Sequence, residues 1–182
     1  MFHYKIDDVI ELRQINYDQA EDLFNLADKN RDHLRAWLPW VDMTKTAEDT
    51  KEFFKTCLQQ QVNDDGLQAS VWVDGKAAGM IGFHRVTSAK EATLGYWLGA
   101  EFTGRGVMVK STKTLVDYAF DHMGMNRVVI QAGTGNKASR AIPEKLNFTH
   151  EGTARQSFLL RDEFLDMEQY AMLKKDWVNS KP

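Results

Sequence analysis

Apolar and polar residues alternate along this chain with two different periods, and the period in each stretch predicts its element. Val9 to Arg13 alternates residue by residue and predicts a first strand. From Tyr17 to Lys29 the apolar residues Ala20, Leu23, Phe24 and Ala27 recur at three- and four-residue steps, which predicts an amphipathic helix. Leu34-Arg35-Ala36-Trp37-Leu38-Pro39-Trp40 reads as a short aromatic helix or turn, stopped by Pro39. Thr46-Ala47-Glu48-Asp49 has the form of a capping box with Asp in the Glu place. It opens a helix through Phe53, Phe54, Cys57, Leu58 and Gln61 that ends at the turn Asn63-Asp64-Asp65-Gly66.

Strand patterning then takes over. Ala69 to Asp74 runs into Asp74-Gly75, a hairpin signal, and Lys76 to His84 pairs back from it. Glu91 to Gly99 is the next strand, with Leu94, Tyr96 and Leu98 on one face. A long helix follows from the loop 101–108 to His122, its apolar stripe formed by Met108, Leu115, Ala119 and Met123 and widened by Val116 and Phe120. Arg127 to Ala132 is a strand of the buried type, Asn136 to Leu146 a short helix, and Asn147 to Thr153 and Leu165 to Leu173 two further strands. The order β-α-α-β-β-β-α-β-α-β-β implies early hairpins, hence antiparallel pairs, and a later crossover, hence a parallel pair. The expected fold is therefore of the α/β (α+β) class. Its sheet is mixed and mostly antiparallel, with about seven strands and helices on both faces.

Length and composition narrow the function classes. The chain has 182 residues, enough for a single domain over residues 1–182 with a real core. No apolar run is long enough to span a membrane, and the start Met1-Phe2-His3-Tyr4 has no signal-peptide h-region. With 23 basic and 26 acidic residues, a net charge of -3 argues against a nucleic-acid binder. Cys57 is the only cysteine, which excludes an internal disulfide and a multi-thiolate metal site and suits a cytoplasmic, reducing setting. The 5 Trp residues point to a cleft, because Trp combines an apolar body with a polar handle.

Two glycine-bearing loops carry candidate chemistry. Gly104-Arg105-Gly106 lies between a strand and a helix, so free helix N–H groups, the positive dipole end and a closely approaching backbone coincide there. That combination suits a phosphate or diphosphate; a plain tight turn is the simpler alternative. No Gly-Lys-Ser/Thr follows, so it is not a nucleoside-triphosphate loop. Gly133-Thr134-Gly135-Asn136-Lys137-Ala138 formally fits a dinucleotide fingerprint, but its helix is short and interrupted by Pro143. The better reading makes Asn136 an N-cap and lets Ser139 project from the first turn.

Taken together, Tyr96-Trp97-Leu98-Gly99, Thr103-Gly104-Arg105-Gly106-Val107-Met108, Asn136-Lys137-Ala138-Ser139-Arg140, Glu144-Lys145-Leu146-Asn147-Phe148 and Glu151-Gly152 resemble the GCN5-related N-acetyltransferase superfamily. The early Asn30–Trp40 segment is similar to the branch that acetylates the N-terminal residues of ribosomal proteins. The resemblance spans residues 8–173. It implies acetyl-CoA as cosubstrate and no metal. The diphosphate would lie on the amides of Thr103 to Met108, and the pantetheine arm between splayed strands carrying Trp97-Leu98 and Val129-Ile130. A backbone N–H near Leu98 would face the thioester oxygen, a donor that supplies about 3 kcal/mol. Asn136 would reach the cofactor arm, Ser139 would protonate the departing thiolate, and Trp37 and Trp40 would line the acceptor cleft, unless both are core.

The chain departs from the pattern in places. Glu101 stands where Gln or Arg is usual and must point away from the phosphates, or leave them to the amides and Arg105. Asn147 replaces a Gly and must take a left-handed turn. Pro143 deprives the Ser139 carbonyl of its helical donor. Phe158 lies where some relatives carry a basic Glu, which leaves Glu91, His84 and Glu163 as candidates for the general base. A missing base favours an α-amine acceptor: freeing it at pH 7 costs about 1 kcal/mol, against about 4.6 for lysine. The expected acceptor is thus the N-terminus of a protein, with a small amine (polyamine or amino-sugar) or a non-catalytic CoA-binding module as alternatives. The oligomeric state stays open.

Overall fold

The computed structural model describes residues 3–179. One eight-stranded sheet runs in the order β1-β2-β3-β4-β5-β6-β8-β7. Its strands are β1 (His3–Lys5), β2 (Ile10–Gln14), β3 (Leu67–Val73), β4 (Lys76–Val86), β5 (Glu91–Leu98), β6 (Arg127–Gly133), β7 (Thr149–Leu160) and β8 (Glu163–Leu173). The helices are α1 (Ala20–Lys29), α2 (Arg31–Arg35), α3 (Ala47–Val62), α4 (Val107–Asp121), α5 (Lys137–Lys145) and α6 (Lys174–Asn179). All neighbouring strands are antiparallel except β5 and β6.

Alternation on the central strands splits the core into two layers. On β4, Met80 packs with Ile15, Leu23, Phe54 and Cys57 beneath α1 and α3. Its neighbour Ile81 faces the other way, into the large cluster with Val107, Leu115, Val116 and Phe120 of α4. Helices therefore cover both faces, as the pattern predicts.

Local rules explain most boundaries. The Thr46–Asp49 capping box forms, each side chain serving the other's backbone N–H. Asp74 and Gly75 both take positive φ, 50° and 72°, the paired left-handed turn a two-residue hairpin requires. Asn147 adopts φ 57°, so the left-handed stop after α5 is present without glycine.

Three expectations are corrected. The strand β1 is an eighth one, too short and polar to show a period. Pro39 does not end a helix: α2 stops at Arg35, Leu38 is extended as pre-proline geometry favours, and Pro39 opens a new 3-10 turn. The strand expected at Asn147 to Thr153 runs on to Leu160, because bulges after His150 and Ala154 erase its alternation.

Candidate active site

The site lies where the two parallel strands separate. Pairing of β5 with β6 covers Glu91 to Leu94 against Arg127 to Ile130 and stops there, although β5 continues to Leu98 and β6 to Gly133. Beyond Leu94 the strands lead in different directions. Leu98 stays paired to Gly79 of β4, and Gly133 to Met167 of β8. The strands carrying Trp97-Leu98 and Val129-Ile130 do separate, but Val129 and Ile130 are still paired with Thr93 and Leu94, so the opening is flanked on β6 by residues 131–133.

Directly after β5, a 3-10 turn (Ala100–Phe102) and Thr103 lead into α4. Gly106 caps α4 with φ 74°, and Gly104 has φ 72°. Open space surrounds the position where a Cβ would stand on either glycine. A bulky group can therefore approach this backbone, whose first α4 N–H groups have no partner within the helix. Val107 and Met108 turn their side chains into the core, at 2% and 5% exposure, so they can offer only amides. Arg105 is exposed and meets Asp74 at 4.0 Å, the edge of an ion pair. Glu101 points away: its carboxylate bonds Lys29 at 2.7 Å and Asn30 at 3.1 Å. Lys29 and Asn30 hold its pKa below the ordinary carboxylate range. Asn30 also accepts from the Ala100 N–H, so this cluster fastens the loop to α1.

On the other strand, Asn136 caps α5 by accepting the Ser139 N–H at 3.1 Å. Ser139 is half-buried, and its hydroxyl lies 3.4 Å from the Tyr96 hydroxyl. Trp37 lies across the glycines of this loop: a Cβ on Gly133 or Gly135 would come within 3.2 or 3.1 Å of its ring. A cavity of about 270 Å³ opens beside it, lined by Trp37, Thr134, Gln156, Phe164, Leu165 and Asp166, among others. Asp166 is the charged residue in that lining, and its carboxylate accepts the Gln156 N–H at 2.7 Å. Arg161, in the β7–β8 turn, reaches Asp42 at 3.5 Å and latches this hairpin to the Trp37–Trp40 segment.

Trp37 and Trp40 are both half-buried and do different things. Trp37 borders the cavity, whereas Trp40 packs on Trp97 with ring centres 5.6 Å apart. Asp166 does not stand out in the sequence, and Tyr96 does so only as part of the Tyr96-Trp97-Leu98-Gly99 segment, with no role of its own. Asp166 reaches the cavity only through the β7–β8 hairpin, and Tyr96 meets Ser139 only through the crossover.

None of the candidate bases lines the cavity, although His84 stands beside the first β5 residue past the paired stretch. Glu91 is at the opposite end of β5, about 23 Å along the strand from Leu98 at 3.3 Å per residue. There it binds Arg127, which also holds Glu151. His84 sits in a β4 bulge against Gly95, and Glu163 is exposed beside the hairpin turn. Phe158 pairs with Leu165 across the hairpin. Burial pushes the Cys57 thiol up to about 12, so no thiolate is present at neutral pH. Among the described residues, no group of three or more His, Cys, Asp or Glu could hold a metal, and no helix is long and apolar enough to cross a membrane.

A mixed sheet whose parallel pair opens beside a glycine-capped helix defines an acyl-CoA transferase architecture, and residues 10–149 match the acetyltransferase (GNAT) domain family. The chain belongs to that family and to its acetyltransferase enzymes. It is 33% identical to Bacillus subtilis YdaF, whose name is that of a candidate ribosomal N-acetyltransferase, over the whole of both chains. It is 24% identical to the ribosomal-protein-serine acetyltransferase of Escherichia coli, covering 93% of this chain and 95% of that one. Among solved structures, the microcin C7 self-immunity acetyltransferase MccE bound to acetyl-CoA and AMP superposes with a TM-score of 0.90 at 26% identity, covering 93% and 94% of the two chains.

Proposed function

We propose that this chain transfers acetyl from acetyl-CoA directly to the N-terminal α-amine of a protein, with ribosomal proteins as the acceptor class. The observation that carries the reading is the paired arrangement at the open end of β5 and β6. An amide-rich glycine loop lies on one side, and a cavity with two aromatic walls and a carboxylate lies on the other. The names of YdaF and the Escherichia coli relative support the acceptor class.

In this reading the amides of Val107 and Met108, with Arg105, hold the diphosphate of acetyl-CoA. The Leu98 N–H receives the developing oxyanion, and Asn136 and Trp97 border the pantetheine arm. The acceptor enters past Trp37 and Trp40 as an ammonium, and Asp166 attracts it. Once its proton has left to solvent, the neutral amine forms the new C–N bond. The C–S bond breaks, the Ser139 hydroxyl protonates the thiolate, and the second proton, shed by the acylated nitrogen, returns to Ser139 through water. For an α-amine the deprotonation costs about 1 kcal/mol, so no strong base is required.

A thiol-release assay over three acceptor sets tests this. Peptides beginning with Ser or Ala should release CoA, and the same peptides blocked at the N-terminus should not. Release with small amines alone would replace the acceptor class, and CoA binding without release from any amine would overturn the enzyme reading.

A further inference from the structure

Pro143 sits in the second turn of α5 and has no N–H, so the Ser139 carbonyl four residues earlier lacks its helical donor. A half-buried carbonyl left in that state is costly. The Tyr96 hydroxyl fills the gap, donating to the Ser139 carbonyl at 2.9 Å from across the crossover. The same oxygen faces the Ser139 hydroxyl at 3.4 Å, too long for a strong bond. Burial raises the Tyr96 phenol above its ordinary value, so it keeps its proton at neutral pH.

We propose that Tyr96 is a positioning residue: it replaces the N–H that Pro143 removes and fixes the first turn of α5 so that the Ser139 hydroxyl faces the gap between β5 and β6. The inference rests on the reading of Ser139 as proton donor. The strand that would carry the oxyanion donor also carries Tyr96, so one strand would set the position of both groups that act on the thioester. Tyr96 donates to Ser139 oxygen on the main chain only. The side-chain proton of Ser139, held by no short bond, is left for the thiolate.

The test is a mutant cycle read as kcat and as acetyl-CoA affinity. Tyr96→Phe should lower kcat about tenfold, the size expected for one hydrogen bond, with acetyl-CoA affinity unchanged. In a Ser139→Ala background the same change should cost nothing more, because there is no hydroxyl left to aim. Pro143→Ala restores the N–H, so Tyr96→Phe/Pro143→Ala should recover most of the lost kcat. Unchanged kcat in Tyr96→Phe while Ser139→Ala is impaired would overturn this inference and leave the role of Ser139 standing. Unchanged kcat in Ser139→Ala would overturn both. Failure of Pro143→Ala to rescue, or full additivity with Ser139→Ala, would also overturn it, since a merely structural tyrosine would behave that way.

Discussion

The two sides of the open strand pair are built on different principles. The loop 103–108 is local: six consecutive residues, two of them glycines in the left-handed region, set the amides before a helix whose side chains at Val107 and Met108 are committed to the core. The acceptor side is assembled at long range. Trp37 comes from before α3, Thr134 from the end of β6, Gln156 from β7, and Phe164 and Asp166 from β8. A local site of this kind depends on backbone conformation, so few side chains matter to it. A site gathered from distant segments depends on individual side chains and on the sheet that brings them together. The cofactor side should therefore tolerate side-chain change and resist backbone change, and the acceptor side should do the reverse.

The sharpest way to break that contrast is at Gly106. A β-branched residue there must hold φ near 74°, a conformation such residues avoid. Gly106→Val should weaken acetyl-CoA binding about thirtyfold by calorimetry, on a cost of about 2 kcal/mol for the strained cap, and leave the acceptor KM unchanged. Asp166→Asn keeps the oxygen that accepts from Gln156 and removes the charge. It should raise the peptide KM about fivefold with acetyl-CoA affinity intact, as expected for one charge-assisted contact. Arg105→Ala, an exposed side chain on the backbone-built side, should weaken acetyl-CoA about twofold at low salt and not measurably at high salt. The smallest effect lies away from both sides, in the Glu91–Arg127–Glu151 cluster. Arg127 holds the folded Glu151 pKa at about 2 against an ordinary 4.5. Its stabilising contribution is therefore complete above about 4.5 and is lost as the pH falls to about 2. Glu151→Gln should flatten the Tm–pH curve across that window, lowering Tm slightly above it and changing little below about 2.

The same contrast explains what the sequence made legible. Gly104-Arg105-Gly106, the Asn136 cap and the left-handed Asn147 are visible because each depends on its immediate neighbours. The parallel pair is inferable because a strand, a helix and a strand in succession imply a parallel crossover, whereas its splay is implied only by the family resemblance. Asp166 is not visible in this way. Its position depends on a β7–β8 hairpin that turns at Arg161 and Asp162, both at positive φ, and no glycine or asparagine marks that turn. The bulge at Gln156, φ 49°, lengthens β7 past the point where its alternation ends. Glu101 is legible in part: its charge requires it to turn away from a phosphate, and only the fold reveals Lys29 and Asn30 as the partners that hold it there. Tyr96 falls between the two cases. The loss of a donor at Pro143 can be read from the sequence, whereas the hydroxyl that replaces it comes from a strand residue 43 positions before Ser139.

The division of labour between the two sides is tested most directly by Trp37→Ala, measured for acetyl-CoA affinity by calorimetry and for peptide KM by thiol release. The half-buried ring lies over Gly133 and Gly135 and borders the cavity, while the loop 103–108 does not depend on it. The peptide KM should rise about tenfold or more, reflecting the loss of most of a large apolar contact, with acetyl-CoA affinity within about twofold of the parent. Acetyl-CoA affinity falling in step with the peptide KM, or a peptide KM that does not move, would contradict that division of labour.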